Sequence, residues 1–324
     1  MKNTRINQVF SRAALVLLLI APASLTACRM FGGGDLDGEA FASPQAAGET
    51  LIAALQANDD DALVRVFGAS HQNLLTSGDP VFDQQQRSRF VSAYETRHAF
   101  RPWGQGVVML EVGDNAWPFP VPLIDDEGVW RFDTARGDEE ILDRRIGKNE
   151  LDTIQACLAF VDAERDYYRR NPRGRDTAEY ARFILSSEGQ QDGLYWPTAD
   201  GEDPSPLGPL YAGARAEGYS PERGQGRAYH GYVYRVLRGQ GPNAPGGARD
   251  YLQGDSMTGG FALAAWPAQY GASGIKTFLV NQVGIVYEKD LGPDSGKLAA
   301  TMKVFDPDDS WDLVSVEARA LRDR

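Results

Sequence analysis

The residues best suited to acid–base chemistry in this sequence are its three histidines. His71 and His98 have polar neighbours, and neither has a second ligand type at metal-binding spacing. His230 lies between Tyr229 and Gly231 at the mouth of a predicted strand, where an imidazole could act as a general acid or base. The alternative role for His230, which we favour, is a structural hydrogen bond.

A hydrolase would need carboxylates beside His230, and Asp192 and Asp290 are the candidates. Cys157 is a poor nucleophile, because it falls in a predicted helix beside the apolar stripe, where desolvation raises a thiol pKa. The sequence contains no Gly-x-Ser-x-Gly, Walker, His-Glu-x-x-His or paired-cysteine zinc motif. We therefore predict no catalytic residue, no metal ligand and no cofactor.

Aromatic residues in and after the loop-rich segment 189–208 suggest binding rather than catalysis. Tyr195 and Trp196, together with Tyr211, could form a shelf on which a sugar or a peptide stacks. Packing in a core or at a domain interface is the alternative. The candidate ligand or interface residues are therefore His230, Tyr195 and Trp196.

The second half of the chain is predicted to pack around an antiparallel meander near the C-terminus. Its strands are 261–266, 275–280 and 285–289, and glycines lie in both links. Both faces of the middle strand are largely apolar, which predicts that a long helix covers one of them. Asn149 is predicted to cap that helix, which runs to about Arg170 with an apolar stripe made by Leu151, Ile154, Leu158 and Val161.

The remaining elements follow from periodicity, caps and breakers. Three helices are predicted from Pro44, Asp60 and Pro80, followed by strands over 107–112, 117–124 and 129–133. Prolines at 118, 120 and 122 alternate along the strand, so the three missing N–H groups would all lie on the same side of it. That side cannot form a complete ladder with a neighbouring strand, which predicts an edge strand there. Later segments are predicted as helices over 138–147 and 177–186, a strand over 229–237, a flexible excursion over 239–247 and a closing helix with Leu298, Met302 and Phe305.

This order predicts an α+β protein of two domains, each with helices packed on an antiparallel sheet. The N-terminal domain, 41–138, resembles a SnoaL-like cone. The C-terminal domain, 139–312, is similar to the globular heads of pilin-like proteins, although pilins begin their helix as a membrane span and here another domain precedes it. A charged tail, 313–324, completes the chain.

The N-terminus has the pattern of an exported protein. Three basic residues precede the apolar run 13–20, which is far shorter than the roughly 20 residues of a membrane span. Leu25-Thr-Ala-Cys28 then resembles a bacterial lipobox, which implies cleavage after residue 27 and a diacylglycerol on Cys28. An ordinary signal peptide with a chance cysteine is the alternative. Arg29 resembles the outer-membrane sorting pattern of Gram-negative cells, and residues 28–40 are predicted to be a flexible linker.

The charge of the chain excludes some partners. The net charge is −12, and removal of the three basic residues in 1–27 would make it about −15. Such an acidic body is not expected to bind nucleic acid or to adhere electrostatically to anionic lipid. The attached lipid would therefore be the membrane tether.

Short motifs along most of the chain resemble a known bacterial family, the domain of unknown function 2950. The resemblance covers roughly residues 41–311 and implies no activity and no catalytic residue. The motifs are Phe41-Ala-Ser-Pro44, Ser77-Gly-Asp-Pro80, Trp117-Pro-Phe-Pro120, Trp130-Arg-Phe-Asp-Thr134, Arg145-Ile-Gly147, Asn149-Glu150, Asp192-Gly-Leu-Tyr-Trp-Pro197, Ser205-Pro-Leu-Gly-Pro209, Tyr229-His-Gly-Tyr232, Gly259-Gly-Phe-Ala262, Trp266-Pro267, Tyr270-Gly271 and Tyr287-Glu-Lys-Asp-Leu-Gly292.

These observations predict a membrane-anchored lipoprotein of the bacterial cell envelope that faces the periplasm, on the outer membrane if the cell is Gram-negative. Binding or assembly is expected rather than catalysis, with another envelope protein or a cell-wall component as partner. The alternative is an envelope hydrolase that uses His230 with nearby carboxylates.

Overall fold

The computed structural model describes residues 37–199, 201–219 and 228–314, and these residues confirm the α+β class. The predicted signal peptide, most of the predicted linker and residues 315–324 of the predicted tail lie outside them. Among the described residues, no helix combines the length and the apolar character that crossing a membrane requires.

The described helices and strands follow one another as two groups. The α-helices are α1 (Pro44–Ala57), α2 (Asp60–Phe67), α3 (Pro80–Thr96), α4 (Thr134–Arg170), α5 (Gly208–Ala216) and α6 (Ser295–Thr301), with a 3-10 helix at Ala69–Leu74. The strands are β1 (His98–Gly104), β2 (Val107–Val112), β3 (Trp117–Pro118), β4 (Leu123–Asp126), β5 (Val129–Phe132), β6 (Phe183–Leu185), β7 (Gly193–Tyr195), β8 (Tyr232–Leu237), β9 (Gly239–Gln240), β10 (Arg249–Asp250), β11 (Leu252–Gln253), β12 (Ser256–Met257), β13 (Ala262–Pro267), β14 (Lys276–Asn281), β15 (Val286–Asp290) and β16 (Asp312–Leu313).

The first three helices begin where the sequence predicts, because their caps satisfy free N–H groups. The Ser43 hydroxyl accepts from the Ala46 N–H at 3.1 Å, and Pro44 occupies the first turn. The Asp79 carboxylate caps α3 in the same way, accepting from the Phe82 N–H at 3.1 Å. Buried side chains of these helices share one apolar cluster with an antiparallel sheet. The strand order of this sheet is β1-β2-β4-β5, and β3 also pairs with β2.

The prediction of one edge strand over 117–124 is wrong. The segment forms two short strands separated by residues 119–122, and β4 lies between β2 and β5 rather than at an edge. The prolines at 120 and 122 cannot donate to a ladder, so regular pairing stops where they fall and resumes at Leu123. Phe119 and Val121 are buried as expected, whereas Trp117 is 40% exposed.

Helix α4 is longer than predicted, with 37 residues and no break between the segments 138–147 and 149–170. Asn149 is therefore not a cap. It is fully buried, and its Nδ2 donates to the Ser273 carbonyl at 2.9 Å. The helix ends at Asn171, in the left-handed conformation before Pro172, as predicted.

The predicted meander is confirmed as three strands of an antiparallel sheet with the order β16-β15-β14-β13-β8. The α4 side of this sheet carries Tyr234, whose hydroxyl lies 3.3 Å from the Thr153 hydroxyl of the helix. Phe278 lies on the same face, because it and Tyr234 are both register partners of Ala265. Ile154 and Val161 of α4 are buried as predicted, but Leu151 is 39% exposed and is not part of the apolar stripe.

Three connecting segments differ from prediction because tertiary contacts decide them. Residues 177–186 are not helical: the buried Glu164 carboxylate accepts the Ala181 N–H at 2.8 Å, and β6 pairs in parallel with β7. The predicted excursion 239–247 begins with a buried strand, β9. The closing helix α6 ends at Thr301, so the buried Phe305 lies beyond it, and Leu298 is 48% exposed.

Buried apolar side chains form two clusters. The first is built from residues between Phe41 and Phe132, and the second from residues between Ile154 and Val314. The described residues nevertheless belong to one compact unit. The domain boundary at 138/139 stays a prediction, and helix α4 runs through it without a break.

We expect Phe278→Ala to lower the free energy of unfolding by about 3–5 kcal/mol, because removal of a fully buried ring leaves a cavity. The control is Leu298→Ala, a substitution at a half-exposed position, which should cost about 0.5 kcal/mol or less. Urea denaturation of protein without residues 1–27 measures both. Equal midpoints for wild type and Phe278→Ala would show that β14 does not hold the second cluster together.

Candidate functional site

His230 is held by two carboxylates in a junction between elements distant in sequence. Its Nδ1 lies 2.9 Å from an Asp152 oxygen on α4, and its Nε2 lies 2.9 Å from a Glu217 oxygen just after α5. The imidazole side chain is 16% exposed, and its backbone has a φ of +50°. Its ring packs against Tyr219 and Tyr229, with ring centroids 5.9 and 4.3 Å away.

The electrostatics of this junction favour an ion pair. Burial alone would lower the pKa of His230, but the hydrogen bonds and charges of Asp152 and Glu217 outweigh burial and raise it. Burial would raise the pKa of Asp152, yet the hydrogen bonds from His230 and from Lys148, whose Nζ is 2.5 Å away, lower it. His230 is therefore stabilised as an imidazolium between carboxylates.

This geometry leaves no ring nitrogen of His230 free for a substrate, because each one already has a carboxylate partner. The partners are also not the predicted ones. Asp192 instead accepts the Ser187 N–H at 2.7 Å, and the Tyr270 hydroxyl lies 3.3 Å from Asp290. Both ring nitrogens of His230 lie within hydrogen-bonding distance of carboxylates, and the role of this residue stays a prediction.

Asp79 completes the junction, and the sequence indicated only its capping role. Its second oxygen accepts from the Gly231 N–H at 3.0 Å and from the Tyr219 hydroxyl at 2.8 Å, while Tyr219 accepts from the His230 N–H at 3.2 Å. Gly231 is required here: its φ is +75°, and a Cβ would meet the Asn149 amide nitrogen at 2.5 Å.

The other candidate residues have structural surroundings. His71 Nδ1 lies 2.9 Å from Asp138, and His98 stacks on Tyr94 with ring centroids 3.8 Å apart. Cys157 is fully buried, and burial raises the pKa of its thiol to about 12, which disfavours the nucleophilic thiolate. Within the part of the chain that the structure describes, no group of three His, Cys, Asp or Glu side chains could hold a metal ion.

A cavity of about 1340 Å³ lies beside β8, and no pattern in the sequence predicts it. Its apolar walls come from α4, α5 and β6 as well as from β8. The apolar and aromatic side chains that line it include Phe160, Phe183, Leu207, Leu210, Tyr211 and Val236. Ligand sites of proteins have this character, with an apolar lining and a few polar groups.

The predicted aromatic shelf is only partly at this cavity. Tyr195 stacks on Tyr211 with ring centroids 4.2 Å apart, and Tyr211 lines the cavity. Trp196 instead packs edge-to-face on Tyr167, at 6.3 Å. Tyr195 thus supports the wall of the cavity from behind, while Trp196 belongs to the packing of α4.

The charged residues that line the cavity are mainly cationic. Arg182 is paired, with Asp255 at 3.3 Å and Asp192 at 3.6 Å. Four other cations line the cavity against one carboxylate, Asp250, and none of the four forms an ion pair with a described residue: Arg235, Arg238, Arg249 and Lys303. A locally cationic cavity in a chain of net charge −12 is suited to an anionic group.

Fold and cavity together define an α+β protein with a large cavity beside a sheet edge. The family model described as "Protein of unknown function (DUF2950)" matches residues 38–314, and the chain belongs to this family. Neither the curated proteins nor the solved structures contain a match. The likenesses to a SnoaL-like cone and to pilin heads stay predictions.

The raised pKa of His230 predicts that stability depends on pH. The folded protein holds the imidazolium proton more tightly than the unfolded chain, so this stabilisation is full below the unfolded pKa of about 6.5. It is lost as the pH rises through the higher folded pKa. We expect the free energy of unfolding to fall as the pH rises from about 6.5 through the raised folded pKa of His230, and to fall less in His230→Asn.

Asparagine is the replacement of choice because it tolerates a positive φ. Urea denaturation at a series of pH values measures the slope of the free energy of unfolding against pH. An unchanged slope in His230→Asn would contradict the ion-pair assignment.

Proposed function

We propose that this protein is a lipid-anchored envelope protein that acts by binding a ligand in the cavity beside β8. The cavity carries this proposal. Its volume of about 1340 Å³ exceeds the roughly 300–1,000 Å³ of common small-molecule sites. Its apolar lining suits an extended ligand, such as part of another envelope protein or of a cell-wall component.

The arrangement of His230 supports binding rather than catalysis. A general base needs a ring nitrogen within reach of a substrate proton, and both nitrogens of His230 are engaged by carboxylates. The hydrolase alternative keeps one observation in its favour, an imidazole beside two carboxylates that are each about one-third exposed. Assays with generic ester, peptide and glycoside substrates would separate the two, since turnover abolished by His230→Asn would overturn the binding proposal.

Filling the cavity tests the binding function directly. Ala214 of α5 is buried and lines the cavity, so Ala214→Trp should place an indole in the space that a ligand needs. We expect this variant to lose at least about tenfold in affinity for an amphiphilic fluorescent probe or for peptidoglycan fragments, whichever binds the wild type.

The matched control is Ala212→Trp, on the exposed side of the same helix. It adds the same side chain outside the cavity and should bind as the wild type does. Thermal unfolding shows whether each variant is folded. Equal affinity in folded Ala214→Trp and wild type would place binding elsewhere.

The anchor is tested by Cys28→Ser. The lipobox-like Leu25-Thr-Ala-Cys28 and the acidic chain support a purely lipid tether, because the surface itself would be repelled by anionic membranes. We expect the wild type to incorporate labelled palmitate and to sediment with membranes, and Cys28→Ser to do neither. An unlabelled wild-type protein would end the lipoprotein proposal.

A further inference from the structure

We propose that the cavity takes an extended peptide segment with alternating apolar and acidic residues, which adds to β8 as a further strand of the second sheet. This inference rests on the proposed function, since it names the ligand class of the same cavity. Addition of a strand to a sheet edge is a common way in which proteins bind peptides.

The first argument is the free edge of β8. In an antiparallel strand, alternate residues direct their N–H and C=O to opposite sides. Tyr232 directs both groups away from β13, because it exchanges backbone hydrogen bonds with Tyr229 at 2.8 and 3.1 Å. By the same alternation, Tyr234 and Val236 also direct theirs outward, into the cavity that both residues line.

Among the described residues, none hydrogen-bonds to these outward backbone groups of Tyr234 and Val236. At each end of this unpaired stretch, the outward backbone groups form hydrogen bonds within the protein. Tyr229 pairs with Tyr232 at one end, and at the other the Arg238 N–H donates to Lys303 and its carbonyl accepts from Tyr251. From Tyr232 to Arg238 a strand spans about 20 Å, so four to six residues of a ligand fit between the closed ends.

The second argument is the apolar wall on one face of β8. Tyr234 lies on the α4 side of the sheet, where its hydroxyl contacts Thr153. Val236 shares that face by the two-residue period of a strand. Phe160 of α4 also lines the cavity on this side. Every second side chain of an added strand would therefore meet apolar surface.

The third argument is the cationic wall on the opposite face. Arg235 points to the α6 side, where its guanidinium donates to the Ala300 carbonyl and lies 5.8 Å from the Trp266 ring centroid. Lys303, two residues after α6, also lines the cavity, is exposed, and has no acidic partner among the described residues. The intervening side chains of an added strand would meet this positive charge, which favours Asp or Glu.

A peptide satisfies the three features together, whereas other anionic ligands satisfy only some of them. A fatty acid matches the apolar wall and the cations but leaves the backbone groups of Tyr234 and Val236 unpaired. Unpaired polar groups in a binding site reduce affinity when the ligand excludes water from them. The free edge therefore decides in favour of a peptide.

The test measures binding of a capped pentapeptide in which Val and Glu alternate, by calorimetry or by fluorescence anisotropy. Val236→Pro removes the outward N–H without removing a hydrogen bond to β13, and Val236→Ala is its matched control with a shortened side chain and an intact N–H. We expect Val236→Pro to bind about tenfold more weakly than Val236→Ala. A peptide with N-methyl groups on alternate amides should lose affinity for the wild type by a similar factor, which tests pairing without altering the protein.

Charge is tested on the same peptide. Replacing Glu by Lys in the peptide should abolish measurable binding, and Lys303→Glu should weaken binding of the Val/Glu peptide about fivefold while leaving a Val/Ser peptide unaffected. Equal binding of Val236→Pro and Val236→Ala, together with no effect of N-methylation, would overturn strand addition.

Oleate, an anionic amphiphile without amides, separates this inference from the proposed function. If oleate binds in competition with the amphiphilic probe and the peptide does not, the peptide inference fails and the cavity remains a binding site. If the probe, oleate and the peptide all fail to bind, both proposals fail.

Discussion

The structure depends on the buried carboxylate of Asp79, which joins the two clusters of apolar side chains. Asp79 is 1% exposed, and a carboxylate is tolerated there only because several donors surround it. One oxygen caps α3, and the other accepts from Tyr219 and from the Gly231 N–H that precedes β8. Removal of any one of these donors would leave a buried carboxylate oxygen with one hydrogen bond fewer, so the junction restricts how the two clusters can be placed.

The consequences of this junction extend to the cavity. Gly231 and His230 both have positive φ values, so the chain turns sharply before it enters β8. The two carboxylates on His230 belong to α4 and to the residue after α5, and both helices contribute side chains to the walls of the cavity. The ion pair that engages both ring nitrogens of His230 therefore helps to position these two helices beside the cavity.

The sequence predicted features that local physics determines. The meander follows from runs of β-branched and aromatic residues between glycine-containing links, and α1 to α3 follow from Ser43, Asp59 and Asp79 as caps. Residues whose roles depend on distant partners were predicted poorly. Asn149 is a residue type that often caps helices, but here its side chain donates to the Ser273 carbonyl. Residues 177–186 have apolar side chains at helical spacing, but the hydrogen bond from the Ala181 N–H to Glu164 holds the segment in a non-helical conformation. For the site, the position of His230 was predictable, whereas Asp152, Glu217 and the cavity require the tertiary fold.

The cationic wall of the cavity has the opposite sign of charge to the chain as a whole, which is acidic. At physiological ionic strength charges are screened within about 8 Å, so a ligand inside the cavity experiences the nearby cations far more than the net charge of −12. Outside the cavity, the acidic surface repels an acidic segment and reduces unproductive contact. An acidic and apolar ligand is thus disfavoured over most of the surface and favoured beside β8, where Arg235, Arg238 and Lys303 accompany a free strand edge. This difference in sign favours one site over the rest of the surface for such a ligand.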